Sequence, residues 1–203
     1  MSIQYILAGL LSFGFFAGAD YATYKEIHYL KPFLWIGTIP VFLYAFILGW
    51  IDTAFFPLDA FVSTLAWIPL VFFFTLFVYS LFIEIPVKQT YVQREQPQRV
   101  VAGGTYSLTR HPAFIWFTCW SVSSIFASRS ITLAVGVPVW IVAYIVCVLL
   151  EEKLTIMGNF GEQYREYQKQ TPMLFPTAQS ARRFARNLRC LFTRTPGKIT
   201  KNE

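Results

Sequence analysis

Four stretches of this chain contain no Asp, Glu, Lys or Arg: Ser2–Ala19, Pro32–Ile51, Ala60–Ile83 and Ser130–Leu150. Each approaches or exceeds the roughly 18–20 apolar residues that cross a hydrocarbon core about 30 Å thick. Inside a bilayer every backbone donor and acceptor must be paired internally, so only helices or closed barrels can cross. The four windows are continuously apolar and lack the alternation of barrel strands. They are expected to be helices. The wider composition agrees, with 55 % hydrophobic and only 14 % charged residues, where a soluble domain carries about a quarter charged.

A fifth apolar segment, Pro112–Ser128, is short and holds four serines and a threonine. Only Arg129 lies between it and the Ser130–Leu150 window, so the two are expected to form a helical hairpin; a re-entrant or interfacial helix is the alternative reading. The expected fold is an all-α integral membrane protein with about five transmembrane helices. The first window ends in Ala17-Gly18-Ala19, which resembles a cleavage site, but no Lys or Arg precedes it. Without a basic n-region it reads as a retained anchor. Three units follow: three helices over 1–83, a polar and apolar core over 84–176, and a basic tail over 177–203.

Basic residues near span ends orient such a chain. Lys25 and Lys31 lie between the first two windows, and Lys88, Arg94, Arg99 and Arg110 precede the fourth. The Asp52–Asp59 connection has no basic residue, and the hairpin tip has only Arg129. The N-terminus is therefore expected outside and the C-terminus in the cytoplasm, in a bacterial or archaeal inner membrane or the endoplasmic reticulum. In the tail, Arg182, Arg183, Arg186, Arg189 and Arg194 interleave with Phe184, Leu188, Leu191 and Phe192. That spacing suits a basic amphipathic helix on an anionic membrane surface, with a solvated tail as the alternative. No nucleic-acid partner is needed to explain it. Cys119, Cys147 and Cys190 have no metal-ligand spacing, and neither His28 nor His111 has a histidine partner, so no metal is expected.

Chemistry is left to two polar stretches. The first runs from Gln98 to Phe114 and contains Gly103-Gly104, Tyr106 and Arg110-His111-Pro112. Glycines there allow close backbone approach or positive φ, and Pro112 suits the first turn of a helix. Arg110 and His111 would then stand at a helix N-terminus, which favours anionic groups. The second stretch opens with Glu151-Glu152, ending an apolar window, where a carboxylate needs a partner. Arg110 or a cationic ligand could supply one. Beyond it, Tyr164 and Tyr167 would share one face of a short helix and suit the headgroup level.

The ordered pattern Gly-x-Tyr-x-x-x-Arg-His-Pro-x-Phe, hairpin, Glu-Glu, Phe-Gly-x-x-Tyr-x-x-Tyr and Pro-x-x-x-Pro, over about Gln98 to Pro176, resembles the isoprenylcysteine carboxyl methyltransferase family. That family belongs to a wider group of membrane methyltransferases that includes the phospholipid N-methyltransferases. The resemblance implies transfer of a methyl group from S-adenosylmethionine to a lipid or membrane-associated acceptor. It implies a cytosol-facing cofactor pocket closed by the loop before the hairpin and the C-terminal segment. Carried over by position, Gln98, Arg99, Val100, Val101, Tyr106, His111, Pro112, Ala113, Phe114 and Glu152 would bind the cofactor. Arg110 and Glu151 would serve the reaction, Glu151 as a base where the acceptor must lose a proton.

Two positions depart from the pattern. Val148 stands where prenylcysteine-specific members carry an arginine, which counts against a prenylcysteine acceptor. Trp116 stands where many relatives have glycine and would narrow whatever that glycine leaves open. Two other classes stay open: an NADPH-dependent reductase of the sterol-reductase type, and a lipid-binding protein without activity.

Overall fold

The computed structural model describes residues 3–27, 29–84 and 100–193, and they are helical almost throughout. In order come α1 (Ile3–Tyr24), α2 (Leu30–Ile51), α3 (Ala60–Leu65), α4 (Trp67–Tyr79), α5 (Pro112–Ser128), α6 (Ile131–Glu151), α7 (Met157–Gln170) and α8 (Ala178–Thr193). A π-helical turn at Ser80–Glu84 extends α4, another at Glu152–Ile156 joins α6 to α7, and a 3₁₀ turn occupies Gly104–Ser107. Four helical stretches among the described residues are long and apolar enough to cross a membrane, namely Ile3–Tyr24, Leu30–Ile51, Ala60–Glu84 and Ile131–Leu154. Pro112–Ser128 is a shorter apolar helix. The third window is less regular than its uniform apolarity suggests, with a break at Ala66 and a π-turn before Glu84.

The helices pack through small residues on one side and aromatic rings on the other. In a bilayer, lipid is as apolar as leucine, so close packing and hydrogen bonds bring helices together. Gly9 of α1 lies against the Trp140 ring, and a Cβ there would occupy the indole's position. The same indole donates its N–H to the Ile6 carbonyl at 3.1 Å. Two turns further along α6, the Cys147 thiol meets the Phe13 carbonyl at 3.4 Å. These two contacts set α1 parallel to α6. Across the middle, Phe42, Phe46, Phe117, Trp120, Trp140 and Tyr144 interlock. Phe46 stacks on Trp120 with centroids 4.6 Å apart, and Phe117 meets Tyr144 edge-on at 5.1 Å. The outer faces remain apolar and uncovered, as at Phe33, Ile36, Phe61, Ile68 and Ile83, which suits lipid rather than water.

One end of the bundle is closed by two short connections. Ile131 N–H donates to the Ala54 carbonyl at 2.8 Å and Phe56 N–H to the Arg129 carbonyl at 3.0 Å. Arg129 takes a left-handed conformation, φ 59°, which turns α5 back toward α6. Ser130 then caps α6, its hydroxyl accepting from Leu133 N–H and donating to the Gly49 carbonyl at 2.6 Å. Because Ser130 is fully buried, Ser130→Ala should destabilise the protein by about 1–2 kcal/mol. Its thermal unfolding in detergent should shift down by a few degrees, and an unchanged midpoint would show that this end contributes nothing. The other end gathers Glu84, the 3₁₀ turn, Arg110, His111, Glu151 and Glu152.

Candidate functional site

Three segments distant in sequence meet at that second end, and backbone hydrogen bonds lace two of them together. Arg110 N–H donates to the Pro172 carbonyl at 2.9 Å and His111 N–H to the Met173 carbonyl at 3.2 Å. Pro112 opens α5, where its missing N–H has no helical acceptor to lose. The chain from Thr171 to Pro176 thus fixes Arg110 and His111 beside the end of α6. Glu152 is the centre of the group. Its carboxylate lies 3.1 Å from Arg110 Nη2 and 3.2 Å from His111 Nε2, and it accepts from Gln168 Nε2. Glu151 approaches the other imidazole nitrogen, 3.9 Å from Nδ1. On its other flank, Asp20 of α1 and Lys31 of α2 are near enough to act on it electrostatically.

The 3₁₀ turn is held from two sides. Thr105 donates its N–H to Glu84 Oε1 at 2.7 Å and its hydroxyl to Glu84 Oε2, while Ser80 Oγ lies 3.1 Å from Thr105 Oγ1. Gly104 sits at φ +53°, and a Cβ on it would run into the Glu84 carboxylate. From the opposite side, the Tyr167 phenol donates to the Tyr106 carbonyl at 2.5 Å. Burial pushes the Tyr106, Tyr164 and Tyr167 phenols above the ordinary tyrosine range, so Tyr167 keeps the proton it donates. Tyr167→Phe should remove about 1 kcal/mol from this contact. Amide hydrogen exchange over Tyr106–Leu108 should then quicken about fivefold, by the same amount from about pH 6 to 9, because a phenol titrates near 10 or above. Unchanged exchange would mean the turn is held by Glu84 alone.

The arrangement brings together Tyr106, Arg110, His111, Glu151 and Glu152, with Pro112, Ala113 and Phe114 forming the buried first turn of α5. Phe114 meets the Tyr144 ring at 5.4 Å. Val100 and Val101 lie at the start of the described loop, ahead of the turn, and Gln98 and Arg99 fall outside the described residues, as do Lys88, Arg94 and His28. Tyr164 and Tyr167 do share a helix face, with ring centroids 5.8 Å apart. They are not at an exposed headgroup position, however, since both are buried against the cluster. Trp116 turns away from it, stacked on Phe73 of α4 with centroids 6.2 Å apart. Val148 is buried within α6.

Glu84, Gln168 and Asp20 were not singled out by the sequence pattern, and Lys31 was read only as a mark of orientation. Glu84 carried the same signal as Glu151: it is the first charge after a long apolar window. Gln168 follows Tyr164 by four residues, which places it one turn on along the same helix face.

Chemically, the cluster offers two carboxylates, an imidazole and a guanidinium, with aromatic rings alongside. Arg110 Nε is buried and makes no hydrogen bond among the described residues, and the same holds for Thr109 Oγ1. A buried N–H without an acceptor costs about 1–3 kcal/mol, so an incoming acceptor would be favoured there. A shallow groove of about 580 Å³ along Trp67, Ile68, Val71 and Phe72 lies elsewhere, on the outward face of α4.

Comparison with known proteins gives one result. The family model described as phospholipid methyltransferase matches residues 62–163, from α3 through the cluster's glutamates into α7. No curated protein and no solved structure matches the chain.

Proposed function

The chain belongs to the phospholipid methyltransferase family, and from that membership we propose that it transfers a methyl group from S-adenosylmethionine to a lipidic or membrane-associated acceptor. The acceptor atom would belong to a carboxylate, an amine or a thiol. The observation that carries the cofactor assignment is the polar set at the end of α6. Arg110 Nε, buried and without an acceptor among the described residues, suits a carboxylate, and the Glu152 carboxylate suits an ammonium group or ribose hydroxyls. Together they match the zwitterionic amino-acid end of the cofactor, and Tyr106, His111 and Phe114 would line the remainder.

When bound, S-adenosylmethionine supplies a methyl group already activated on a sulfonium. The protein's work is then placement and exclusion of water. Holding two reactants in line can lower a barrier by about 7–11 kcal/mol. The Glu84 and Tyr167 contacts fix the turn bearing Tyr106, and the Pro172 and Met173 carbonyls fix Arg110 and His111. Glu151 is the base for an amine or thiol acceptor, and a carboxylate acceptor needs none.

We read α5 as a fifth span, paired with α6 as a hairpin, within a 84–176 core flanked by the first helices and the basic tail. Lys25, Lys31, Arg110 and Lys153 then share the cluster's end, and among the described residues Arg129 alone marks the other. The positive-inside rule makes the cluster's end cytoplasmic.

A thermal-shift titration of the detergent-solubilised protein tests the cofactor. S-Adenosylmethionine and S-adenosylhomocysteine should raise the unfolding midpoint, by about 2.7 kcal/mol of stabilisation at a hundred times Kd. Stabilisation by NADPH alone would instead indicate a reductase, and stabilisation by none of the three a protein that binds lipid without this chemistry.

A further inference from the structure

The basic tail is more than an appendage, because its helix is built onto the proposed cofactor site. Thr177 and Ser180 cap α8 reciprocally. Thr177 N–H meets Ser180 Oγ at 3.0 Å, and Ser180 N–H meets Thr177 Oγ1 at 3.2 Å. Such a box satisfies the first free N–H groups and fixes where a helix starts. The start is only a few residues beyond Met173, whose carbonyl is bonded to His111. From there α8 packs against the Gly104–Ser107 turn. Ser180 is fully buried and Phe184, one turn on, is half-buried, while Arg182 and Arg186, also one turn apart, are exposed. The sequence continues with Arg189 and with Leu188, Leu191 and Phe192 at helical spacing. The helix therefore starts at the end of the bundle where α4 and α6 terminate, presenting cations beside spans of lipid-crossing length.

We propose that α8 is a docking surface for anionic phospholipid headgroups, and that docking steadies the Gly104–Ser107 turn it packs on. The second half rests on the methyltransferase reading only in calling Tyr106 a cofactor residue; the docking and the ordering of the turn do not. Charge selects the occupant. Exposed guanidiniums one turn apart bind phosphate oxygens well, and each basic residue near an anionic leaflet strengthens docking about fivefold. Removing Arg182 and Arg186 together should weaken it roughly 25-fold. A lipid surface is favoured over a nucleic acid because the spans already hold α8 beside the bilayer.

The test uses the full chain in nanodiscs of phosphatidylcholine, with or without phosphatidylglycerol, read by amide hydrogen exchange. Phosphatidylglycerol should slow exchange over residues 178–187 and over Gly104–Leu108. Arg182→Gln/Arg186→Gln should abolish both effects, whereas Arg182→Lys/Arg186→Lys should retain them. Glutamine forms helix nearly as well as arginine, so the first pair removes charge and leaves the helix. Exchange over α8 that is equal in the two lipids, or protection that appears with an oligonucleotide in place of phosphatidylglycerol, would overturn the proposal. Protection of α8 without protection of the turn would overturn the coupling. S-Adenosylhomocysteine affinity, measured in the same discs, should rise severalfold with phosphatidylglycerol. If both segments are protected yet no adenosyl ligand binds, docking stands and the methyltransferase reading fails.

Discussion

A Glu152→Ala protein should lose affinity for S-adenosylhomocysteine by at least two orders of magnitude and unfold at a markedly lower temperature. Glu152 is only 9 % exposed, and three donors converge on its carboxylate: Arg110, His111 and Gln168. Removing one member of a buried ion pair costs about 3–5 kcal/mol, because the other charge is left without compensation. The loss is thus mainly the stranding of Arg110. That account makes a second result mandatory. Adding Arg110→Gln to Glu152→Gln should restore much of the stability lost in the single glutamine variant, since no buried charge remains unpaired. Binding should not return, because both groups proposed to hold the cofactor are gone. A cycle built from these variants separates the two roles. If the four proteins show additive losses in stability, Arg110 and Glu152 are not energetically coupled, and the cluster is an accident of packing.

The bundle was legible in the sequence because charge-free windows leave few alternatives in a bilayer. The pairing of Arg110 with Glu152 was legible in part: a carboxylate ending an apolar window needs a partner, the sequence offered Arg110 or a cationic ligand, and the structure sets Arg110 against Glu152. What was hidden depends on contacts between segments far apart. The break at Ala66 is an exception, marked locally by Pro69, which has no N–H for the Leu65 carbonyl and suits only the first turn of a new helix, although the window stays apolar through Ile83. Tyr164 and Tyr167 have the amphipathic chemistry of headgroup residues, and only the docking of α7 against the loop buries them. Glu84 was missed for a similar reason. Its charge at a span end gives the same signal as Glu151, but its partner, Thr105, comes within reach only when the turn folds back to meet it. The Arg110 and His111 bonds to the Pro172 and Met173 carbonyls involve backbone atoms alone, so no side-chain motif records them.

The adjacent glycines 103 and 104 show how sharply such a turn can discriminate, and Gly104→Ala should disable the site where Gly103→Ala leaves it almost intact. The two are alike in sequence. Gly103 has φ −92° and ψ 179°, a conformation open to any residue, and a Cβ on it would meet nothing within 4 Å. Gly104 has φ +53°, which costs an L-residue about 1–2 kcal/mol. Its new methyl would also displace the Glu84 carboxylate, and with it the bonds from Thr105 N–H and Oγ. Hydrogen bonds to a charged group contribute about 1.5–3 kcal/mol each. Retaining one of the two still leaves a combined loss of about 3 kcal/mol, or a factor of more than a hundred in the occupancy of the ordered turn. S-Adenosylhomocysteine affinity should fall accordingly. The bundle itself should unfold at nearly the original temperature, since the ring contacts that hold the core, such as Phe46 on Trp120 and Phe42 on Trp140, join α2 to α5 and α6 and do not include the turn's residues. Equal effects of the two alanines on binding would mean that the positive φ at Gly104 and its contact with Glu84 have no part in holding Tyr106.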